Sequence, residues 1–136
     1  MSVIEQAKRT DPTLEKLAYT VIGAAIEVHK QLGPGWLESA YEEALCVELS
    51  LRDVPFVRQC EVNLMYKGRK VGEGRINLLV AEKLIVELKA VTALAAIHTA
   101  QVITYLRLTG CHLALLINFN VPQLRDGIER VVLSLS

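Results

Sequence analysis

Apolar residues recur at Leu14, Ala18, Val21, Ala25, Val28 and Leu32, at alternating spacings of four and three. That pattern predicts one face of a helix about six turns long. Asp11 followed by Pro12 supplies its N-cap and first turn. Gly33-Pro34-Gly35 ends it, since glycine permits a left-handed cap and proline cannot continue. A second helix is expected from about Trp36 to Arg52, with Leu37, Ala40, Tyr41, Ala44, Val47 and Leu51 inward. Glu38, Glu42, Glu43 and Glu48 take its outer face, where Glu48 can pair with Arg52 one turn on.

After Val54-Pro55 the period shortens to two. Val57 to Tyr66 alternates as a strand does, and Lys67-Gly68 is a hairpin turn that sends Arg69 back beside it. Gly72 and Gly74 suggest a bend before a strand Arg75–Val80. A tight Ala81-Glu82-Lys83 connection leads to a strand ending at Lys89. Alternation puts Asn77 and Leu79 on one face and Ile76, Leu78 and Val80 on the other; Glu87 and Lys89 share a face opposite Val86 and Leu88. Val91 to Leu108 returns to helical spacing, with Leu94, Ile97, Ala100, Val102, Ile103 and Leu106 inward and Gly110 as cap. His112 to Phe119 is nearly all apolar, as in a strand buried on both faces, reached by a crossover from the Glu87 strand. Asn120 and Pro122 then start a last helix to about Leu133. The order is α-α-β-β-β-α-β-α: a mixed α/β fold, one domain over residues 1–136 with residues 1–10 as a loose arm.

Composition narrows the class. Of 136 residues, 51% are hydrophobic and the formal net charge is zero, which argues against a protein that coats nucleic acid non-specifically. The three cysteines (Cys46, Cys60, Cys111) are far apart and lack zinc or iron–sulfur spacing. With no apolar run long enough to span a membrane and no signal-peptide core near Met1, the chain is expected to be cytoplasmic. Charge is uneven: Arg52, Arg58, Lys67, Arg69, Lys70 and Arg75 outnumber Asp53, Glu61 and Glu73 in one stretch. The alternating seam of the first helix also resembles a coiled-coil seam, so a homodimer is one expectation; packing on its own sheet is the simpler one.

A Glu and a Lys two apart on an apolar strand need a partner. Asn77 sits on the neighbouring strand, and His98, Gln101 and Tyr105 share a face of the crossover helix. Glu38 lies near the start of the second helix. A concave site from these elements suits phosphodiester cleavage with Mg²⁺ or Mn²⁺, which takes hard oxygen ligands, activates water and neutralises the leaving oxygen. A lysine beside the carboxylates can orient that water or steady the phosphate. Arg75 and His98 are candidates to contact substrate.

Gly35-Trp36-Leu37-Glu38-Ser39-Ala40-Tyr41 resembles the motif that names the GxxExxY proteins. The resemblance extends through His29–Gly35, Ile85–Val91 and Leu116–Pro122. That family is placed in the PD-(D/E)xK nuclease superfamily, and Gln101-Val102-Ile103-Thr104-Tyr105 is similar to the Gln-x-x-x-Tyr motif of its RecB-like branch. The resemblance implies a restriction-endonuclease-like core, a mixed four-stranded sheet flanked by helices. It implies Glu87 and Glu38 as metal ligands, Lys89 as catalytic lysine, and Gln101 and Tyr105 as the helix motif, acting on DNA or RNA. One position departs: the superfamily's first acidic residue falls on Asn77, an amide in place of a carboxylate. The expected function is metal-dependent phosphodiester hydrolysis, weakened or abolished at Asn77, whose amide oxygen joins the metal ligands only as a weak donor; the alternative is a non-catalytic module that keeps the fold to bind nucleic acid or protein.

Overall fold

The computed structural model describes residues 11–133; the expected arm at residues 1–10 lies outside them. Helix α1 spans Pro12–Leu32, with the Asp11 side chain accepting a hydrogen bond from the Leu14 amide. Helix α2 spans Glu38–Leu51. Strands β1 (Phe56–Tyr66), β2 (Arg69–Val80) and β3 (Leu84–Lys89) follow, then helix α3 (Ala96–Thr109) and strand β4 (Leu113–Asn118). A 3-10 turn at Leu124–Gly127 leads into strand β5, Ile128–Val132. The five strands form one mixed sheet in sequence order, with β3 and β4 parallel and the other pairs antiparallel.

The mixed sheet flanked by helices is thus present, but the final helix is not. Ile128, Val131 and Val132 are β-branched and pair with β4, so the sheet has five strands, not four. The phase of α2 also differs. Leu37, Val47 and Leu51 are exposed, and Tyr41, Glu42, Leu45, Cys46 and Leu49 face inward. Ile97 on α3 is likewise exposed, whereas Val102 and Leu106 are buried as expected and Tyr105 is buried with them. The α1 seam from Leu14 to Val28 is buried in the chain's own core.

The sheet separates two cores. Leu78, Val80, Leu84, Val86 and Leu88 pack with α1 and α2. Ile76, Ile85, Val62, Val102, Tyr105 and Leu106 pack on the α3 side. Ile76 and Leu78 are two apart yet lie in different cores, so the alternation of β2 slips by one residue at Asn77. The same slip occurs on β1, where Phe56 joins the first core, Cys60 and Val62 join the second, and Gln59 adopts a positive φ of 49°. Cα pairing runs unshifted on both sides, from Arg58↔Leu78 to Cys60↔Ile76, with no Gln59–Asn77 pair between. Each strand therefore carries one extra residue at the same level. The slip overturns the shared face expected of Ile76, Leu78 and Val80, because one residue moves every later side chain to the opposite face.

A candidate site in the fork between two strands

Backbone pairing of β2 with β3 ends at Leu78↔Val86. Beyond it the strands part, and Asn77 spans the fork. Its backbone N–H donates to Glu87 Oε1 at 2.8 Å, and its side-chain Oδ1 accepts from the Leu88 amide at 3.0 Å. Its Nδ2 donates to Glu42 Oε1 at 2.9 Å and reaches Glu38 Oε2 at 3.4 Å. The Leu88 N–H needs an oxygen opposite it, so the amide has one sensible orientation, with its NH₂ turned to the carboxylates.

Glu38 is brought here by the loop before α2. Tyr41 stacks on Phe119 with ring centroids 4.5 Å apart. Its hydroxyl donates to the Gly33 carbonyl at 2.6 Å and accepts from the Trp36 amide at 3.2 Å. That clamp sets where α2 starts, and so places Glu38 one turn before Glu42. Glu42 is 6% exposed and accepts from Arg58 at 2.9 Å and Gln59 at 2.6 Å as well as from Asn77. Burial alone would raise its pKa, but the hydrogen bonds from Asn77, Arg58 and Gln59 outweigh burial and hold it below the usual carboxylate value.

Glu87 behaves oppositely. It is 3% exposed, and burial pushes its pKa up to about 7 despite the Asn77 amide and the Lys89 charge; Glu38 and Glu42 push it further up. Lys89 Nζ lies 4.0 Å from Glu87 Oε2 and 3.4 Å from Gln101 Oε1, between strand and helix. Tyr105 is buried with its ring against Gly74, where a Cβ would come within 2.8 Å of the hydroxyl. Burial and then the Glu87 charge raise the Tyr105 pKa, and the Arg75 backbone amide bonds the phenol. A groove of about 260 Å³ lined by Gly72, Gly74, Gln101, Thr104 and Tyr105 opens beside this cluster. A larger cavity, about 520 Å³, lies over Ala95, Thr99, Asn118 and Glu129 and includes none of these groups, so charge and not volume locates the site.

Of the residues expected from sequence, Glu87, Lys89, Gln101, Tyr105, Asn77 and Glu38 surround one fork. His98 does not join them: its Nδ1 accepts from the Ala95 amide at 3.0 Å and caps α3. Arg75 is exposed and sits across from Glu61 in the hairpin register. Half of the basic stretch is neutralised, with Arg52 paired to Glu48, Arg58 to Glu42 and Glu43, and Lys70 to Glu61 and Glu73. Two members were not anticipated. The apolar spacing of α2 puts Glu42 on its outer face, whereas docking on the sheet turns it inward, and Gln59 carries no mark beyond a strand position. The signal for Glu42 was its place one turn after Glu38.

The donor set does not fit Mg²⁺ or Mn²⁺ as it stands. A hard cation needs oxygens turned to a common point. Here the Asn77 oxygen faces Leu88, and its NH₂ occupies the space between Glu38 and Glu42. Among the described residues no group of three His, Cys, Asp or Glu side chains is placed to hold a metal ion.

A family model described as the PD-(D/E)XK nuclease superfamily matches residues 15–131. Among solved structures, the crystal structure of SSO0001 is similar in fold, with a TM-score of 0.55 at 16% identity. The match covers 72% of this chain and 50% of that one, so the chain spans half the length of its structural relative. No curated protein matches the chain.

Proposed function

Because the chain belongs to the PD-(D/E)XK nuclease superfamily, we propose that it is a cytoplasmic, nuclease-fold protein of the GxxExxY kind, in the RecB-like branch, that engages the phosphodiester backbone of DNA or RNA and hydrolyses it only weakly. The observation that carries this reading is the fork itself, with Lys89 held between Glu87 and Gln101. A buried carboxyl with a pKa near neutrality can take or give a proton at working pH. The Lys89 ammonium can hold a phosphate oxygen and stabilise charge that develops on it. Gln101 fixes the lysine, and Tyr105 closes the back of the site against Gly74. Weak turnover follows from Asn77, whose amide supplies no negative charge for a divalent ion.

The alternative, a non-catalytic module that binds nucleic acid or a protein partner, is favoured by one observation: every polar group of the Asn77 side chain is already engaged within the chain. One set of assays separates the two. Wild type and Asn77→Asp are incubated with single- and double-stranded DNA and RNA in Mg²⁺ or Mn²⁺, and binding is measured across a salt series. Slow cutting by wild type, rising on the order of 10² or more in Asn77→Asp, supports the catalytic reading. Salt-sensitive binding without cutting by either form supports the module. No binding and no cutting by either form overturns the nucleic-acid reading.

A further inference from the structure

Three carboxylates, Glu38, Glu42 and Glu87, surround Asn77, and two of them are almost fully buried. Like charges crowded in a poorly solvated space repel unless something positive lies among them. Arg58 and Lys89 flank Glu42 and Glu87 from outside, and the neutral Asn77 carboxamide lies between the carboxylates with the positive ends of its N–H groups turned to them. Its NH₂ donates to Glu42 and Glu38, its backbone N–H donates to Glu87, and its oxygen is held by Leu88. Arg58 and Gln59 bond Glu42 from the other side, so the cluster is tied to β1, β2, β3 and α2 at once. No buried side-chain polar atom is left without a partner among the described residues.

We infer that Asn77 is an internal substitute for a cation: its amide donors hold this acidic cluster together, and the site is assembled without a metal ion. The inference deepens the nuclease-fold reading of the same fork, and rests on it for the expectation that a cation could sit there at all. Its logic is chemical. Exchange of the NH₂ for a carboxylate oxygen would turn two attractive contacts into repulsive ones and leave an acidic pocket with its own demand for a divalent ion. Asn77 is thus a positioning residue, and its side chain decides whether metal is needed for structure.

The test uses the full chain and no nucleic acid. Thermal unfolding of wild type, Asn77→Asp and Asn77→Ala is followed in EDTA and in millimolar Mn²⁺. Wild type is expected to melt at the same temperature in both. Asn77→Asp is expected to melt several degrees lower in EDTA and to recover with Mn²⁺, as ligand binding to the folded state requires. Asn77→Ala is expected to be destabilised in both, with no recovery. A wild type that Mn²⁺ stabilises, or an Asn77→Asp that neither EDTA nor Mn²⁺ affects, overturns the inference. If Asn77→Asp folds in neither condition, Mn²⁺ titration of wild type by electron paramagnetic resonance decides: binding overturns it, and free Mn²⁺ throughout upholds it. A metal-responsive Asn77→Asp that still ignores DNA and RNA leaves this inference standing while the nuclease reading falls.

Discussion

Glu42 and Glu87 both expose little surface, with Glu87 set deeper in the protein, and each accepts one hydrogen bond from Asn77. Their acidities nonetheless move in opposite directions. Glu42 has Arg58 and Gln59 in addition, and its charge is satisfied. Glu87 has only the Asn77 amide and a lysine at 4.0 Å. Burial pushes both carboxyls up; it acts more strongly on the deeper Glu87, and only Glu42 has enough donors to outweigh it. One carboxylate belongs to the scaffold, and the other is held in a state from which protons can move.

The largest expected effect breaks the scaffold side. Glu42→Ala removes the acceptor of three donors and leaves the Asn77 NH₂ poorly paired, so stability should fall by about 3 kcal/mol in denaturant unfolding. The half-exposed Arg58 contributes only a small part of that. Next, Glu87→Gln should relieve the other side. A folded pKa near 7 against the usual 4.5 means that the native state holds its proton more tightly. The stability due to Glu87 is therefore whole below about pH 4.5 and lost as pH rises through about 7. Glu87→Gln should then be more stable than wild type by about 3 kcal/mol at pH 8 and equal to it near pH 4. Glu42 should show the reverse slope, its contribution present above the usual carboxylate range and lost on acidification. The smallest effect sharpens the contrast: Gln59→Ala removes one donor, should cost about 1 kcal/mol, and should move the Glu42 pKa upward toward the ordinary value. Carboxyl titration by nuclear magnetic resonance would read both shifts. A Glu42 that titrates together with Glu87 would abolish the comparison.

Much of this architecture could be read from the chain because local signals and tertiary packing agree. Helix α1 has a cap, a stop and a single apolar stripe. Strand β4 is apolar up to Asn118 and is buried on both faces. Helix α2 was only partly phased: Tyr41 belongs to the expected stripe and is buried, but Leu37, Val47 and Leu51 on that stripe compete with Leu45 and Leu49, and only docking on the sheet chooses. The last segment carries helix-start residues at Asn120 and Pro122, but β4 offers an open edge that Ile128–Val132 completes, and pairing wins over local preference. In the site, Glu87, Lys89, Gln101 and Tyr105 were legible because strand and helix periods place them. Glu42 was not, because it follows the phase of α2, and Gln59 was not, because it sits at a slip in strand alternation that no periodic reading contains.

That slip has a consequence for how the sheet is spelled. Without Gln59 and Asn77, β1 and β2 would keep the same partners on either side and send the same side chains to the same cores. The sheet has no use for either residue as a spacer. Both amides are surplus letters in a pattern otherwise complete, and both are spent on Glu42.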